Sequence, residues 1–266
     1  MRDTIYFWIF EGFADWQAAL ALCEIRRPGD WRVTTAAGSA GAVVSMGGLS
    51  VLPDVSLAQV DLERAAMLIV PGGHLWLRGE GADAVSIIGR AHAAGVPLAA
   101  IDSGVLALAR AGVLDTLRHT GNGVGQLACQ VPGYAGEGQY DPSVLACSDG
   151  AVVTASHLGS VEFAREIIHA LHLYNRSDRD HWYRLFKHAQ PPPWTPPMPH
   201  FAIEFFHTPH TRSGGTRALL EELGADYEMH VLNMKSSEQR EGDYLAINPM
   251  GTEQPAIFIL ANSPDR

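Results

Sequence analysis

Short apolar runs alternate with longer amphipathic ones through the first two-thirds of the chain. Residues 5–10 (IYFWIF) read as a strand and Asp15 to Arg26 as a helix. Residues 32–37 (RVTTAA) give a second strand, and 66–73 (AMLIVPGG) a third that stops at a Gly-Gly turn. A helix is predicted over Ala82 to Ala94, then a strand at 97–102 (PLAAID), then a helix over Gly104 to Ala111 stopped by Gly112. A late strand at 152–156 (VVTAS) precedes a long helix over Ser160 to Leu173. Strands buried on both faces read as continuous apolar runs, and their alternation with helices predicts an α/β fold, a parallel sheet wrapped by helices.

The clearest break is at residues 191–199 (PPPWTPPMP). Six prolines there exclude a helix or a central strand and favour an extended spacer. The expected organisation is a domain over 1–187, a Pro-rich linker over 188–199 and a smaller unit over 200–266. That unit reads as βαβ: a strand at 201–206, a helix from Ser213 to Leu223, and a strand at 228–234. A helix around Glu238 to Ile247 and a strand opening at Gln254-Pro255 follow.

Composition narrows the class. Hydrophobic residues at 47% and charged ones at 18% are those of a globular protein. The 19 Lys and Arg against 29 Asp and Glu disfavour a nucleic-acid partner, because sequence-independent affinity comes from basic side chains neutralising phosphates. No apolar run approaches the roughly 18 residues a membrane span needs. Asp3 and Glu11 flank the first strand where a leader would be basic, so a cytoplasmic protein is expected. Cys23, Cys129 and Cys147 are too few and scattered for a disulfide framework or a zinc site; they read as packed, inert thiols, and no metal is expected.

In open α/β sheets ligands sit at the carboxyl ends of strands. Two turns there stand out. Val70 to Gly73 presents the backbone N–H groups of Gly72 and Gly73. Residues 99–104 (AAIDSG) pass from strand directly into helix and place Asp102 in a sharp elbow, where a side chain projects over the sheet edge. The Ser103 amide would face the same hollow, and with Gly73 it would make an oxyanion hole. The plainer reading of Asp102 is an N-cap of its own helix. Gln17 taken alone is an ordinary helix-face residue. Ser103 is offset by one residue from the elbow, which favours a backbone-donor role over a nucleophile. None of His74, His119 and His157 is near Asp102 in sequence, and Trp16 and Trp76 suit a pocket, a subunit face or the core equally.

The stretches 11–22 (EGFADWQAALAL), 68–76 (LIVPGGHLW), 96–115 (VPLAAIDSGVLALARAGVLD), 118–122 (RHTGN), 152–156 and 162–167 (EFAREI) resemble the ThiJ/PfpI superfamily, the class I glutamine amidotransferase-like group. The resemblance implies a flavodoxin-like three-layer sandwich, commonly a homodimer, with a Cys nucleophile at the elbow and an acidic residue bonded to it. Here Asp102 stands at the Cys position and Gln17 at the acidic one. The two changes are compatible: a second carboxylate would repel Asp102, whereas an amide donates a hydrogen bond without charge. Carboxylate attack on an acyl carbon gives a mixed anhydride, so general-base work or attack on an alkyl carbon is the chemistry left to Asp102. The implied activity is a hydrolase or lyase on a small carbonyl, amide or isonitrile-like substrate. The alternative is a non-catalytic relative that binds a metabolite or senses stress.

Residues 206–228 (FHTPHTRSGGTRALLEELGADYE), 244–251 (YLAINPMG) and 254–257 (QPAI) resemble the thioredoxin-like N-terminal domain of glutathione S-transferases. The resemblance implies a hydroxyl from Thr208, Thr211 or Ser213 at a glutathione thiolate, and a cis-proline at Pro255. The helical half of that family has no counterpart before Arg266, so transferase activity is not expected. A glutathione-binding adaptor is the third alternative.

Overall fold

Every position of β1 (Thr4–Trp8) is buried, as a central parallel strand requires. The computed structural model describes residues 2–27, 29, 31–191, 202–208, 213–222, 227–233, 236–240, 245 and 257–260. The chain divides within the proline run into two units, Met1–Pro192 and Pro193–Arg266.

In the first unit β1 leads through α1 (Asp15–Arg26) to β2 (Arg32–Ala37). Three two-residue strands follow: β3 (Val43–Val44) and β4 (Ser50–Val51), which form an antiparallel hairpin, and β5 (Val55–Ser56), which pairs with β2. Next come β6 (Ala65–Val70), the single turn α2 (His74–Leu77), α3 (Ala82–Ala93) and β7 (Leu98–Ile101). A 3₁₀ turn over Asp102–Gly104 runs directly into α4 (Val105–Arg110), and α5 (Val124–Gln130) lies beyond it. The unit closes with β8 (Ala146–Asp149), β9 (Val152–Ala155), α6 (Ser160–Ala170) and α7 (Arg176–His188). The seven-stranded sheet has the order β5-β2-β1-β6-β7-β9-β8, parallel except for β8 against β9. This is an α/β flavodoxin-like fold, a mostly parallel sheet with flanking helices.

The chain leaves β1 to one side for β2 and later returns on the other for β6. In a doubly wound sheet such a reversal marks the carboxyl ends of the strands beside it, here β1 and β6 with β7 next to them, as the place where a ligand is expected.

The long helix predicted to Leu173 stops at Ala170, and His172 turns into the left-handed region at φ 53°. The sequence predicts no helix at α7 because its segment, RSDRDHWYRLFKH, is mostly polar. Asn175 caps it by accepting from the Asp178 N–H, and Trp182 anchors it by burial. Cys147 is buried, and burial pushes its thiol up, whereas Cys23 and Cys129 are exposed. The expectation of packed thiols is corrected for those two, which lie on the solvent sides of α1 and α5.

In the second unit β10 (Ala202–His207) leads through α8 (Ser213–Glu222) to β11 (Tyr227–Val231), parallel to it. β12 (Ile257–Leu260) pairs antiparallel with β10 on its other side. Of the predicted helix at 238–247, a 3₁₀ turn at Glu238–Arg240 falls within the described residues. Thr208 directly follows β10 and Ser213 opens α8; Thr211 and Pro255 lie outside the described residues.

Candidate functional site

β7 ends at Ile101, and the next residue reverses the chain with a positive φ. Asp102 has φ 59°, a left-handed conformation that Asp tolerates better than a β-branched residue, because its short polar side chain can bond locally. Two glycines let the neighbouring turn approach this elbow. A Cβ on Gly72 would lie 2.3 Å from Asp102 Oδ2, and one on Gly104 would lie 2.6 Å from the Val70 carbonyl oxygen. The β6 turn and the elbow are therefore pressed together more closely than any side chain would permit.

Both carboxylate oxygens of Asp102 accept from neutral amides. Gln17 Nε2 donates to Oδ2 at 2.8 Å, and Asn122 Nδ2 donates to Oδ1. The backbone settles which way each amide points. The Gly72 N–H donates to Gln17 Oε1 at 2.7 Å, so the Gln17 NH₂ must face the carboxylate. The His157 N–H donates to Asn122 Oδ1 at 2.9 Å, which turns the Asn122 NH₂ the same way. His157 Nδ1 lies 3.0 Å from that oxygen and donates to it, leaving Nε2 as the outer atom of its ring. Gln17 is buried while Asn122 and His157 are exposed, so the carboxylate has a dry side and an open side. Its oxygens are not turned into the start of their own helix, as an N-cap would have them.

The loop that carries Asn122 is braced from below. His119 is fully buried; its Nδ1 donates to the Leu117 carbonyl, so Nε2 accepts from the Tyr134 hydroxyl. Burial pushes the His119 imidazolium down, a direction that only partly gives way to the Leu117 carbonyl. The Thr120 N–H donates to Thr154 Oγ1 at 2.9 Å, and the Tyr140 hydroxyl to the Gly121 carbonyl at 2.9 Å. Asn122 thus projects from a fixed support.

Ser103 and Gly73 meet, but through the serine side chain. The Gly73 N–H donates to Ser103 Oγ at 2.9 Å, and that hydroxyl donates back to the Gly73 carbonyl at 3.1 Å. The Gly73 amide is engaged there rather than turned to the hollow, and the hydroxyl works as a staple between the β6 turn and the elbow. Ser156 was not foreseen. The β7–β9 register pairs Ile101 with Ala155, so the residues after them, Asp102 and Ser156, end adjacent strands. Ser156 is 7% exposed, and its hydroxyl has no hydrogen-bond partner among the described residues.

The other sequence candidates separate. Trp76 is fully buried and its indole N–H donates to the Pro71 carbonyl at 2.9 Å, whereas Trp16, beside Gln17, is 53% exposed. His74 is exposed at the start of α2. The sequence signal for Asn122 was its place in RHTGN; nothing in its spacing from Asp102 announced their contact. Among the described residues no group of His, Cys, Asp or Glu is arranged to hold a metal ion, and no helix is long and apolar enough to cross a membrane.

Comparison with known proteins covers this unit. The family model described as the DJ-1/PfpI family matches residues 3–170. The chain is similar to the uncharacterized protease YoaZ of Bacillus subtilis (strain 168), 29% identical over 194 residues that make up 70% of this chain and 92% of the relative. It is similar in structure to the DJ-1 superfamily protein Atu0886 from Agrobacterium tumefaciens, with 32% identity, a TM-score of 0.66, and coverage of 71% of this chain and 100% of that one. A thiJ/pfpI family protein from Bacillus anthracis matches at 30% identity and a TM-score of 0.67, over 71% of this chain and 93% of its own.

Proposed function

Because the chain belongs to the DJ-1/PfpI family, we propose that it is a hydrolase or lyase in which Asp102 is the general base toward water. The substrate class is a small neutral electrophile of the carbonyl, amide or isonitrile type. One observation carries the reading: the Asp102 carboxylate is held at a strained elbow by two neutral amides, one buried and one open to solvent. Amide donors fix the carboxylate without protonating or neutralising it, and each oxygen keeps a lone pair for a further proton. Asp102 takes one proton from water as the water oxygen bonds to the electrophilic carbon. That proton is returned to the substrate heteroatom. The Ser103 amide is the donor assigned to the negative charge that develops on the substrate. The Bacillus subtilis relative is named as an uncharacterized protease, which agrees with hydrolysis.

The engaged Gly73 amide supports a second reading, a relative that binds a metabolite without turning it over. Trp16, Val44, Met46, Leu49 and Leu52 are large exposed apolar residues on α1 and around the β3–β4 hairpin, and they are the proposed face of a homodimer.

A panel of amides, aldehydes and isonitriles separates the readings. Turnover that falls by about 10²–10⁴-fold in Asp102→Asn, and less than tenfold in Ser103→Ala, supports the general base. Turnover unaffected by Asp102→Asn overturns it, and saturable binding without product supports the second reading.

A further inference from the structure

Gln17 closes one side of Asp102, so a substrate reaches the carboxylate from the side of Asn122 and His157, both of them exposed. The Asn122 amide has its bonds made there: its NH₂ donates to Asp102 Oδ1, and its oxygen accepts from His157. His157 still has an atom to offer. Its backbone N–H and its Nδ1 both donate to Asn122 Oδ1, at 2.9 and 3.0 Å. A neutral imidazole carries one N–H, so with Nδ1 as the donor Nε2 presents a lone pair.

This acceptor is fixed in place. Two bonds to one oxygen set the ring, and the turn that carries it is pinned beneath. The Ser156 N–H donates to the Leu145 carbonyl and the Gly159 N–H to the Ser156 carbonyl, each at 2.9 Å. A Cβ on Gly159 would lie 2.5 Å from the Leu145 carbonyl oxygen, so the turn sits against that strand entry as closely as glycine allows. A site built to hydrogen-bond one group of a substrate rejects the analogue that lacks it, because its own polar atom is then left unpaired.

We propose that His157 Nε2 is a specificity-determining acceptor. It takes a hydrogen bond from an N–H on the heteroatom attached to the electrophilic carbon, and so selects amides that bear an N–H over esters, aldehydes and isonitriles. The inference rests on the reading of Asp102 as the base and narrows its substrate class. An amide N–H lies in the plane of its carbonyl, so a bond to a fixed acceptor also sets the angle at which the carbon meets the water at Asp102.

The probes are N-methylbenzamide and methyl benzoate, which differ by N–H against O at one position, assayed on the full-length protein at about pH 8. The readout is the amide-to-ester ratio of kcat/KM in each variant relative to wild type, which cancels the two probes' intrinsic reactivities. His157→Asn puts an amide nitrogen where Nδ1 stands, keeps the bond to Asn122 Oδ1 and leaves nothing at Nε2. The ratio should fall about five- to tenfold, as for one lost hydrogen bond. His157→Gln reaches the Nε2 position and gives up the Nδ1 bond, and the ratio should stay within about twofold of wild type. A residue that only held Asn122 would give the reverse order. Asp102→Asn should slow both probes and keep the ratio. Rates untouched by Asp102→Asn would overturn the base, while the two His157 variants still decide the acceptor. If neither probe is turned over, the same ratio is read from Kd by saturation-transfer NMR. An unchanged ratio in His157→Asn, a ratio lost in His157→Gln but kept in His157→Asn, or no binding of either probe at about 10 mM would each overturn the proposal.

Discussion

Two carboxylates, one at the sheet edge and one among the helices, are stabilised by opposite means. Glu162, on α6, is 6% exposed and accepts from the Tyr183 hydroxyl at 2.8 Å and from Lys187 at 2.8 Å. Burial pushes its carboxyl up, but Lys187 and Tyr183 outweigh burial and hold it below its usual range. Arg165 lies over the Tyr183 ring, 4.4 Å from its centroid. Glu24 on α1 follows the same pattern, with Arg27 at 2.9 Å and the Tyr174 hydroxyl. Asp102 has amides on both oxygens, and no ion pair to it is found among the described residues. A buried charge that serves the fold is answered with a countercharge, because an unpaired one destabilises it. A carboxylate that must accept a proton or meet a ligand is better held by groups that do not neutralise it. With Asp102 as the proposed base, the difference separates structural from functional acids within one molecule.

The largest effect expected is on stability at the helical site. Glu162→Ala leaves Lys187 and Tyr183 without their shared acceptor and should cost about 2–3 kcal/mol in urea unfolding. Asp102→Asn, which keeps a residue tolerant of left-handed backbone, should cost less than about 1 kcal/mol. Equal costs would erase the distinction.

A smaller effect sharpens it from the other side. Gln17→Glu keeps the acceptor for the Gly72 N–H but sets a second carboxylate against Asp102, so one of the pair must have a raised pKa. A group with a raised folded pKa contributes its full stability below its unfolded pKa and loses it as pH rises through the folded value. The variant should therefore be less stable than wild type by about 1–2 kcal/mol near pH 8 and approach it near pH 5. Stability curves that stay parallel across that range would mean the Gln17 amide is not there to spare Asp102 a like charge.

How far the sequence reached differs between these sites for physical reasons. The central strands were legible because both faces are buried, which writes an uninterrupted apolar run into residues 5–10, 66–70 and 98–101. Asp102 was legible because a strand running straight into a helix leaves one residue in the elbow. Gln17 came from the resemblance and from its place on the helix after β1. Asn122, His157 and Ser156 were not placed. They arrive from loops after β9 and before α5, and such contacts depend on how strands are ordered rather than on local periodicity. The Gly73 amide was assigned to the hollow because sequence gives a donor's presence and not its partner. The Glu162 cluster was invisible with α7, whose few apolar residues, Trp182, Leu185 and Phe186, are outnumbered by polar ones; its ion pair and Trp182 secure it only once α6 is beside it.

The smallest effect is expected at Tyr174. Burial, followed by its hydrogen bond to Glu24, pushes its phenol up from its ordinary 10.0 to about 12. The folded state thus holds this proton more tightly than the unfolded chain does, and the stability it contributes fades as pH rises from the ordinary value through about 12. Tyr174→Phe removes the bond to Glu24 and should lower stability by about 1 kcal/mol near neutral pH. It also removes the titrating group, so the gap between variant and wild type should narrow steadily above about pH 10 and close as pH 12 is approached. Asn122→Ala, which removes a donor from Asp102 and no phenol, should leave the alkaline limb of the wild-type curve unaltered. A gap that stays constant to the alkaline end for Tyr174→Phe, or one that closes for Asn122→Ala, would show that phenol donors do not mark off the structural acids from Asp102.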